Sequence, residues 1–116
     1  MNRQAAEKRG RRGERFAALW LRLHGWRVLA ERVKTPRGEI DLIARRGRIV
    51  LFVEVKWRAT EAELDVSIDD WRLRRVAAAA EAIAHRYLRK GDSPRIDVLM
   101  LAPGRWPRHI VNAWQP

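Results

Sequence analysis

The sequence predicts an α/β domain, a central mixed sheet flanked by helices in the order αβββαββ. Three observations point there. A segment rich in alanine and arginine opens the chain with helical periodicity, a run of strand-like segments fills the middle, and a second helical segment precedes two more strands. At 116 residues the chain is long enough for one core and too short for two, so a single domain over 1–116 is expected.

The first helix is read from about Asn2 to His24 and ends at Gly25, with Phe16, Trp20 and Leu23 at helical spacing. Gly10 and Gly13 weaken its first half. Residues from about 1 to 13 are therefore read as a basic arm, in which Arg3, Lys8, Arg9, Arg11 and Arg12 face only Glu7. Trp26 to Val33 is the first strand, with a turn around Thr35, Pro36 and Arg37. Gly38 to Arg45 is the second, Arg46-Gly47 a tight turn, and Arg48 to Trp57 the third. Within it Ile49-Val50-Leu51-Phe52-Val53 is apolar on both faces, which predicts an interior strand covered on both sides. After the polar stretch Arg58 to Asp65, Ser67 and Asp70 have capping-box spacing. The helix they open is expected to bury Val76, Ala80, Ile83, Ala84, Tyr87 and Leu88 and to stop near Gly91. Arg95 to Leu101 and Arg108 to Trp114 are the last two strands.

Composition narrows the function. Hydrophobic residues make up 47% of the chain, as in globular proteins. No apolar run approaches the ~20 residues that span a bilayer, and no apolar stretch follows the basic N-terminus as in a signal peptide. There is no cysteine, which excludes disulfides, thiolate zinc sites and a cysteine nucleophile. A soluble cytoplasmic protein without a membrane partner is expected. Twenty-five Lys and Arg against fourteen Asp and Glu give a formal charge of +11. Arginine dominates, and its guanidinium matches phosphate bidentately, so nucleic acid is the expected partner. An arginine- and alanine-rich composition set by genomic base content is the bland alternative.

The strands carry a conflict that packing does not explain. Asp41 sits inside Ile40-Asp41-Leu42-Ile43, and Glu54 and Lys56 sit inside Val53-Glu54-Val55-Lys56. Charges do not belong in interior strands unless paired or bound to something. If Arg46-Gly47 is the hairpin loop, Arg45 pairs with Arg48, Asp41 lies opposite Phe52, and Glu54 lies opposite Glu39 and diagonal to Asp41. Glu39, Asp41, Glu54 and Lys56 then share one face, and Ile40, Leu42, Leu51, Val53 and Val55 the other. Two hard carboxylates with open positions suit Mg²⁺ or Mn²⁺. Such a cation polarises a phosphodiester oxygen and acidifies a bound water, while Lys56 positions that water or stabilises charge on the phosphate.

At these residues the sequence resembles a known family. GEIDLIA (Gly38 to Ala44), the gap from Asp41 to Glu54, and FVEVK (Phe52 to Lys56) are similar to the D…ExK core of PD-(D/E)xK nucleases. More closely the chain resembles the bacterial UPF0102, or YraN-like, family, itself similar in fold to archaeal Holliday-junction resolvases. Gly13-Glu14 with Ala17 or Ala18, the junction Leu23, Gly25 and Trp26, the basic Arg72, Arg74 and Arg75 with Ala79, and Arg95 to Val98 carry that likeness. The resemblance implies a restriction-endonuclease-like fold, with Asp41 and Glu54 as metal ligands and the Val55 carbonyl as a third. It implies an assisting Lys56 and a Glu14 that reaches the site from the first helix. Arg72 stands where relatives usually have lysine, and Trp57 and Trp71 are atypical. A resolvase-like role also implies a two-fold dimer, since two symmetric strands must be cut.

The leading expectation is a metal-dependent endonuclease acting on DNA, including branched DNA, with Arg9, Arg11, Arg12, Arg72 and Arg75 on the phosphates. A binding module that keeps the fold without cleavage, and an adaptor whose acidic and basic core only folds the domain, fit the same residues. Asp41 and Glu54 would then be structural ion-pair partners of core arginines, Glu54 and Lys56 a plain salt bridge, and Glu14 a solvated helix residue. Asp97 is expected to oppose a basic neighbour, and His24, His85 and His109 stand isolated in sequence.

Overall fold

The apolar run at Ile49 to Val53 makes its strand the centre of the sheet. A computed structural model describes residues 3–57 and 70–114, with side chains from Gly13 in the first helix and from Trp71 in the second. The elements are α1 (Arg3–Leu23), β1 (Arg27–Thr35), β2 (Gly38–Arg46), β3 (Ile49–Trp57), α2 (Asp70–Tyr87), β4 (Ser93–Leu101) and β5 (Arg108–Ile110). They form a single α/β domain whose five strands lie in the order β1-β2-β3-β4-β5. Each neighbouring pair is antiparallel except β3 and β4, which are parallel. A parallel pair needs a long crossover, and the segment carrying α2 supplies it.

One helix covers each face. Ala17, Ala18 and Leu21 of α1 pack on Leu42, Leu51, Val53, Leu99 and Leu101. Val76, Ala79, Ala80 and Ile83 of α2 pack on Ile43, Val50 and Phe52. Alanine dominates both contacts because small side chains let a helix approach the sheet closely. Phe16 and Leu23 of α1 face outward, with Leu23 76% exposed, so the helix buries its small face and exposes its large one. Among the described residues no helix is long and apolar enough to cross a membrane.

Several expected boundaries move. β1 runs to Thr35 rather than Val33, and β5 ends at Ile110 rather than Trp114, because the chain turns at Val111 and Asn112, where Asn112 has φ 53°. β4 starts two residues early, where the Ser93 amide donates to the Arg48 carbonyl at 2.8 Å. The second hairpin turns at Gly47-Arg48, not Arg46-Gly47: Gly47 takes the left-handed conformation (φ 61°) and Arg46 pairs with Ile49. That type of two-residue loop favours glycine at a central position. Ser67 and the stretch Arg58 to Asp65 lie outside the described residues, as do the side chains of Arg9, Arg11 and Arg12.

Asp97 on β4 is fully buried and ties the sheet's last strand in place. Its carboxylate accepts from Arg95 Nε at 2.9 Å, Arg95 Nη2 at 2.8 Å and the Asn112 amide at 2.9 Å, and lies 2.7 Å from His109 Nε2. Burial alone would push its proton affinity up. The bonds from His109, Arg95 and Asn112 outweigh burial and hold the carboxyl below the usual aspartate range. A depressed carboxyl contributes stability above its ordinary range and loses it as pH falls through its folded value. Asp97→Asn is therefore expected to destabilise the protein by about 1.5–3 kcal/mol at neutral pH. Urea unfolding should show the gap to wild type closing in acid, and a gap that persists there would refute this account.

Candidate metal centre and nucleic-acid interface

The site begins where β2 leaves β3. Their ladder runs from Arg46↔Ile49 to Leu42↔Val53, and bonded pairs alternate along it, so the next would join Ile40 to Val55. Instead the Val55 amide donates to the Asp41 carboxylate, at 2.8 Å from Oδ2. A strand residue's carbonyl projects from the same edge as its amide, so the Val55 carbonyl faces the same opening. Extending the observed register by one pair sets Asp41 opposite Glu54. The expected register differed by two residues, a shift that by itself turns no side chain to the other face, and on the extended register the two carboxylates stand opposed instead of diagonal.

β1 is irregular in the same row. Glu31 pairs with Leu42 and Val33 with Ile40, which leaves Arg32 beside Asp41. Arg32 has φ 53°, a left-handed conformation that costs an arginine roughly 1–3 kcal/mol. The ribbon changes phase there. Leu42 packs under α1, whereas Ile40, which strict alternation puts on the same face, packs under α2. This corrects the expectation of one apolar face containing both. Arg32 Nε lies 2.8 Å from Glu14 Oε2, so the distorted residue holds the glutamate that α1 presents.

Around Asp41 negative charge accumulates. Burial, then the charge of Glu54, and further the charges of Glu14 and Glu39, raise its proton affinity, with the Val55 amide opposing them, and the result is a pKa of about 7. Thus Glu14, Glu39 and Glu54 all act on Asp41. Lys56 is 5% exposed, and its Nζ lies 2.9 Å from Glu54 Oε1. Arg72 Nε approaches the same oxygen at 3.7 Å. Among the described residues no three His, Asp or Glu side chains form a metal cage. The donor set available is two carboxylates, Asp41 and Glu54, with the Val55 carbonyl.

Glu54 also lines a cleft of about 310 Å³ with Gly38, Glu39, Trp71, Arg72 and Arg75. Arg75 stacks over the exposed Trp71, its guanidinium carbon 5.1 Å from the ring. Gly38 lies against α2, where a Cβ would stand 3.7 Å from that of Ala79. Sequence reasoning missed two participants. Arg32 carries no local turn signature, and Trp71 became visible as a cleft wall only once α2 was docked. His109, isolated in sequence, meets Asp97 away from this cleft.

The fold is similar to that of Archaeoglobus fulgidus Hjc, a Holliday junction resolvase from an archaeal hyperthermophile. The TM-score is 0.62 at 21% identity, over 86% of this chain and 73% of that one. The chain belongs to the uncharacterised protein family UPF0102, whose pattern matches residues 13–101. It is 70% identical to a UPF0102 protein of Erythrobacter litoralis and 63% identical to one of Sphingopyxis alaskensis, each over the whole of both chains. A UPF0102 protein of Caulobacter vibrioides is 48% identical over 95% of this chain and 89% of that one.

The raised affinity of Asp41 has a sign that can be measured. Between the unfolded value near 3.8 and the folded value of about 7, the folded state holds more protons. Stability from this group therefore falls as pH rises through that window and stays low above it. In metal-free buffer Asp41→Asn, whose amide oxygen still accepts from Val55, is expected to be more stable than wild type at about pH 8, by up to a few kcal/mol. At about pH 4 the two should unfold at similar urea concentrations. A variant less stable than wild type at the higher pH would mean that Asp41 is a satisfied structural carboxylate.

Proposed function

We propose that this protein is a metal-dependent endonuclease acting on DNA. The observation that carries the reading is a set of carboxylates, Glu54, Glu14 and Glu39, whose charges act together with burial on Asp41 inside a protein of charge +11. Asp41 and Glu54, with the Val55 carbonyl, fit Mg²⁺ or Mn²⁺, since hard oxygen donors suit these ions and a cation would relieve the repulsion at Asp41. Bound there, the ion supplies Lewis-acid polarisation of a phosphodiester oxygen and a more acidic water.

The chain's own residues do the rest. The Val55 amide fixes the Asp41 carboxylate. Lys56 holds Glu54 and sets a buried positive charge beside the position of the phosphate, where it stabilises charge that grows during cleavage. Glu14, held by Arg32, adds to the field at Asp41. Arg72 and Arg75 line the cleft toward the backbone of the nucleic acid, and Arg9, Arg11 and Arg12 add positive charge in the sequence before Gly13. A second reading, a binding module without cleavage, draws on the contacts of Lys56 and Arg72 to Glu54, which satisfy that carboxylate without a cation.

Two experiments separate the readings. Linear, flapped, four-way and RNA substrates are incubated with Mg²⁺ or Mn²⁺. Asp41→Asn and Glu54→Gln are expected to abolish cleavage with DNA affinity kept or slightly raised, and Lys56→Ala to slow it roughly 10²–10³-fold. Mn²⁺ alone should raise the melting temperature of wild type but not of Asp41→Asn. Absence of both cleavage and the Mn²⁺ shift, with DNA binding intact, would select the binding module.

In the second experiment, affinity should fall steeply with salt, by a logarithmic slope of about 0.9 per phosphate contact. Arg9, Arg11 and Arg12 changed together to Glu should weaken every DNA substrate alike and flatten that slope. Salt-insensitive binding would favour the adaptor.

A further inference from the structure

A second cavity, larger than the acidic cleft, opens at the same end of the sheet. Its volume is about 520 Å³, and its walls include Phe16, Trp57, Leu101, Arg105, Trp106 and Pro107. That is within the ~300–1,000 Å³ typical of ligand sites. Trp57 and Leu101 pair in register and end β3 and β4, so the cavity stands at the carboxyl ends of the parallel strands. Open α/β sheets bind ligands in the crevice outside those ends. Trp106 is 90% exposed, on a loop that reverses at Gly104 with φ 68°. An indole so exposed contributes almost nothing to the core.

The cavity lies on the α1 side of the sheet and the Glu54 cleft on the α2 side, and two elements connect them at the sheet's end. On β3, Trp57 directly follows Lys56. On α1, a Cβ at Gly13 would lie 3.6 Å from Trp57 Cε3 and 3.7 Å from Leu101 Cδ1. The next residue, Glu14, acts on Asp41, and Phe16 lines the cavity. One stretch of α1 thus serves both places.

We infer that this cavity binds an unpaired nucleobase of the nucleic-acid strand whose phosphate lies at Asp41 and Glu54. The inference rests on the nuclease reading and names its substrate class as DNA with unpaired bases. Three aromatic side chains offer stacking faces, and every base has a π-face to meet them. Arg105 on the wall, and the run Arg9, Arg11 and Arg12 that leads into Gly13, favour a polyanionic occupant. A second copy of this chain brings a charge of +11 against the same surface, which opposes that alternative.

The test compares an oligothymidylate with an abasic oligonucleotide of equal length, labelled with fluorescein and titrated with full-length protein in EDTA. The two probes carry the same phosphates, so the ratio of their affinities reads the base alone. Wild type is expected to prefer the thymidylate by roughly 5-fold or more. Trp106→Ala should bind both alike with an unchanged melting temperature, and Trp106→Phe should keep the preference. No preference in wild type, or one that survives Trp106→Ala, overturns the inference. So does a wild-type dimer that Trp106→Ala converts to a monomer in sedimentation, since the cavity then holds a second copy. A preference abolished by Trp106→Ala without cleavage of any substrate sinks the nuclease reading alone. Cleavage that depends on Asp41, together with an unaffected preference, sinks the nucleobase cavity alone.

Discussion

The Val55 amide bound to the Asp41 carboxylate is the contact on which the rest of this site depends. A ladder bond between backbones would have continued β2 along β3 and closed the gap. By substituting a side-chain oxygen for a backbone one, Asp41 satisfies Val55 and lets β2 swing away. The opening exposes a carboxylate and a strand edge to the same space. Across it, Arg32 is forced into a left-handed conformation, and the ribbon of β1 and β2 changes phase, so that Ile40 and Leu42 pack under different helices. Strain of that kind persists only where the surroundings over-determine it. Here the surroundings are two helices and a salt bridge to Glu14.

The same opening explains how charges sit inside a sheet. Lys56 is almost fully buried, a costly state for an ammonium unless a partner compensates, and Glu54 lies 2.9 Å away. Removing Glu54 would take away a close partner of this buried ammonium, so the pair has a structural role whatever else it does. Among the described residues the strongest influences on Asp41 are burial, three carboxylates and one amide.

Much of this was legible in the sequence, for identifiable reasons. The unbroken apolar run of β3 required covering on both sides, and two helical segments were there to cover it. Charged residues at Asp41, Glu54 and Lys56 stood out because strands alternate. The error in the hairpin turn was harmless to that argument. Moving a two-residue loop by one position shifts the pairing by two, which by itself turns no side chain to the other face; Ile40 changed face through the phase change of β1 and β2 instead. What could not be read depends on tertiary context. The phase change at Arg32 has no local signature, since arginine does not announce a positive φ as glycine does. The outward face of α1 was hidden because Phe16 and Leu23 look like core residues until the sheet selects Ala17, Ala18 and Leu21 for close approach. His109 met Asp97 only because β5 pairs with β4.

Two aspartates on the strands that flank β3 show how environment sets the same side chain differently. Asp97 is the more deeply buried, yet its proton affinity is lowered, because an arginine, a histidine and a backbone amide converge on it. Its charge is answered within the protein, and nothing further is needed. Asp41 has its affinity raised to about 7, first by burial and then by the charge of Glu54, with Glu14 and Glu39 adding to it and the Val55 amide opposing. If Asp41 were merely another core ion-pair partner, its environment would resemble that of Asp97. It is the opposite: a carboxylate whose neighbours add to its charge, at an opening bordered by Lys56 and Arg72. A group so perturbed by burial and by charged neighbours is a candidate for a functional site. The contrast within one sheet is one of partners: the groups around Asp97 hold its carboxyl ionised, and those around Asp41 favour its proton.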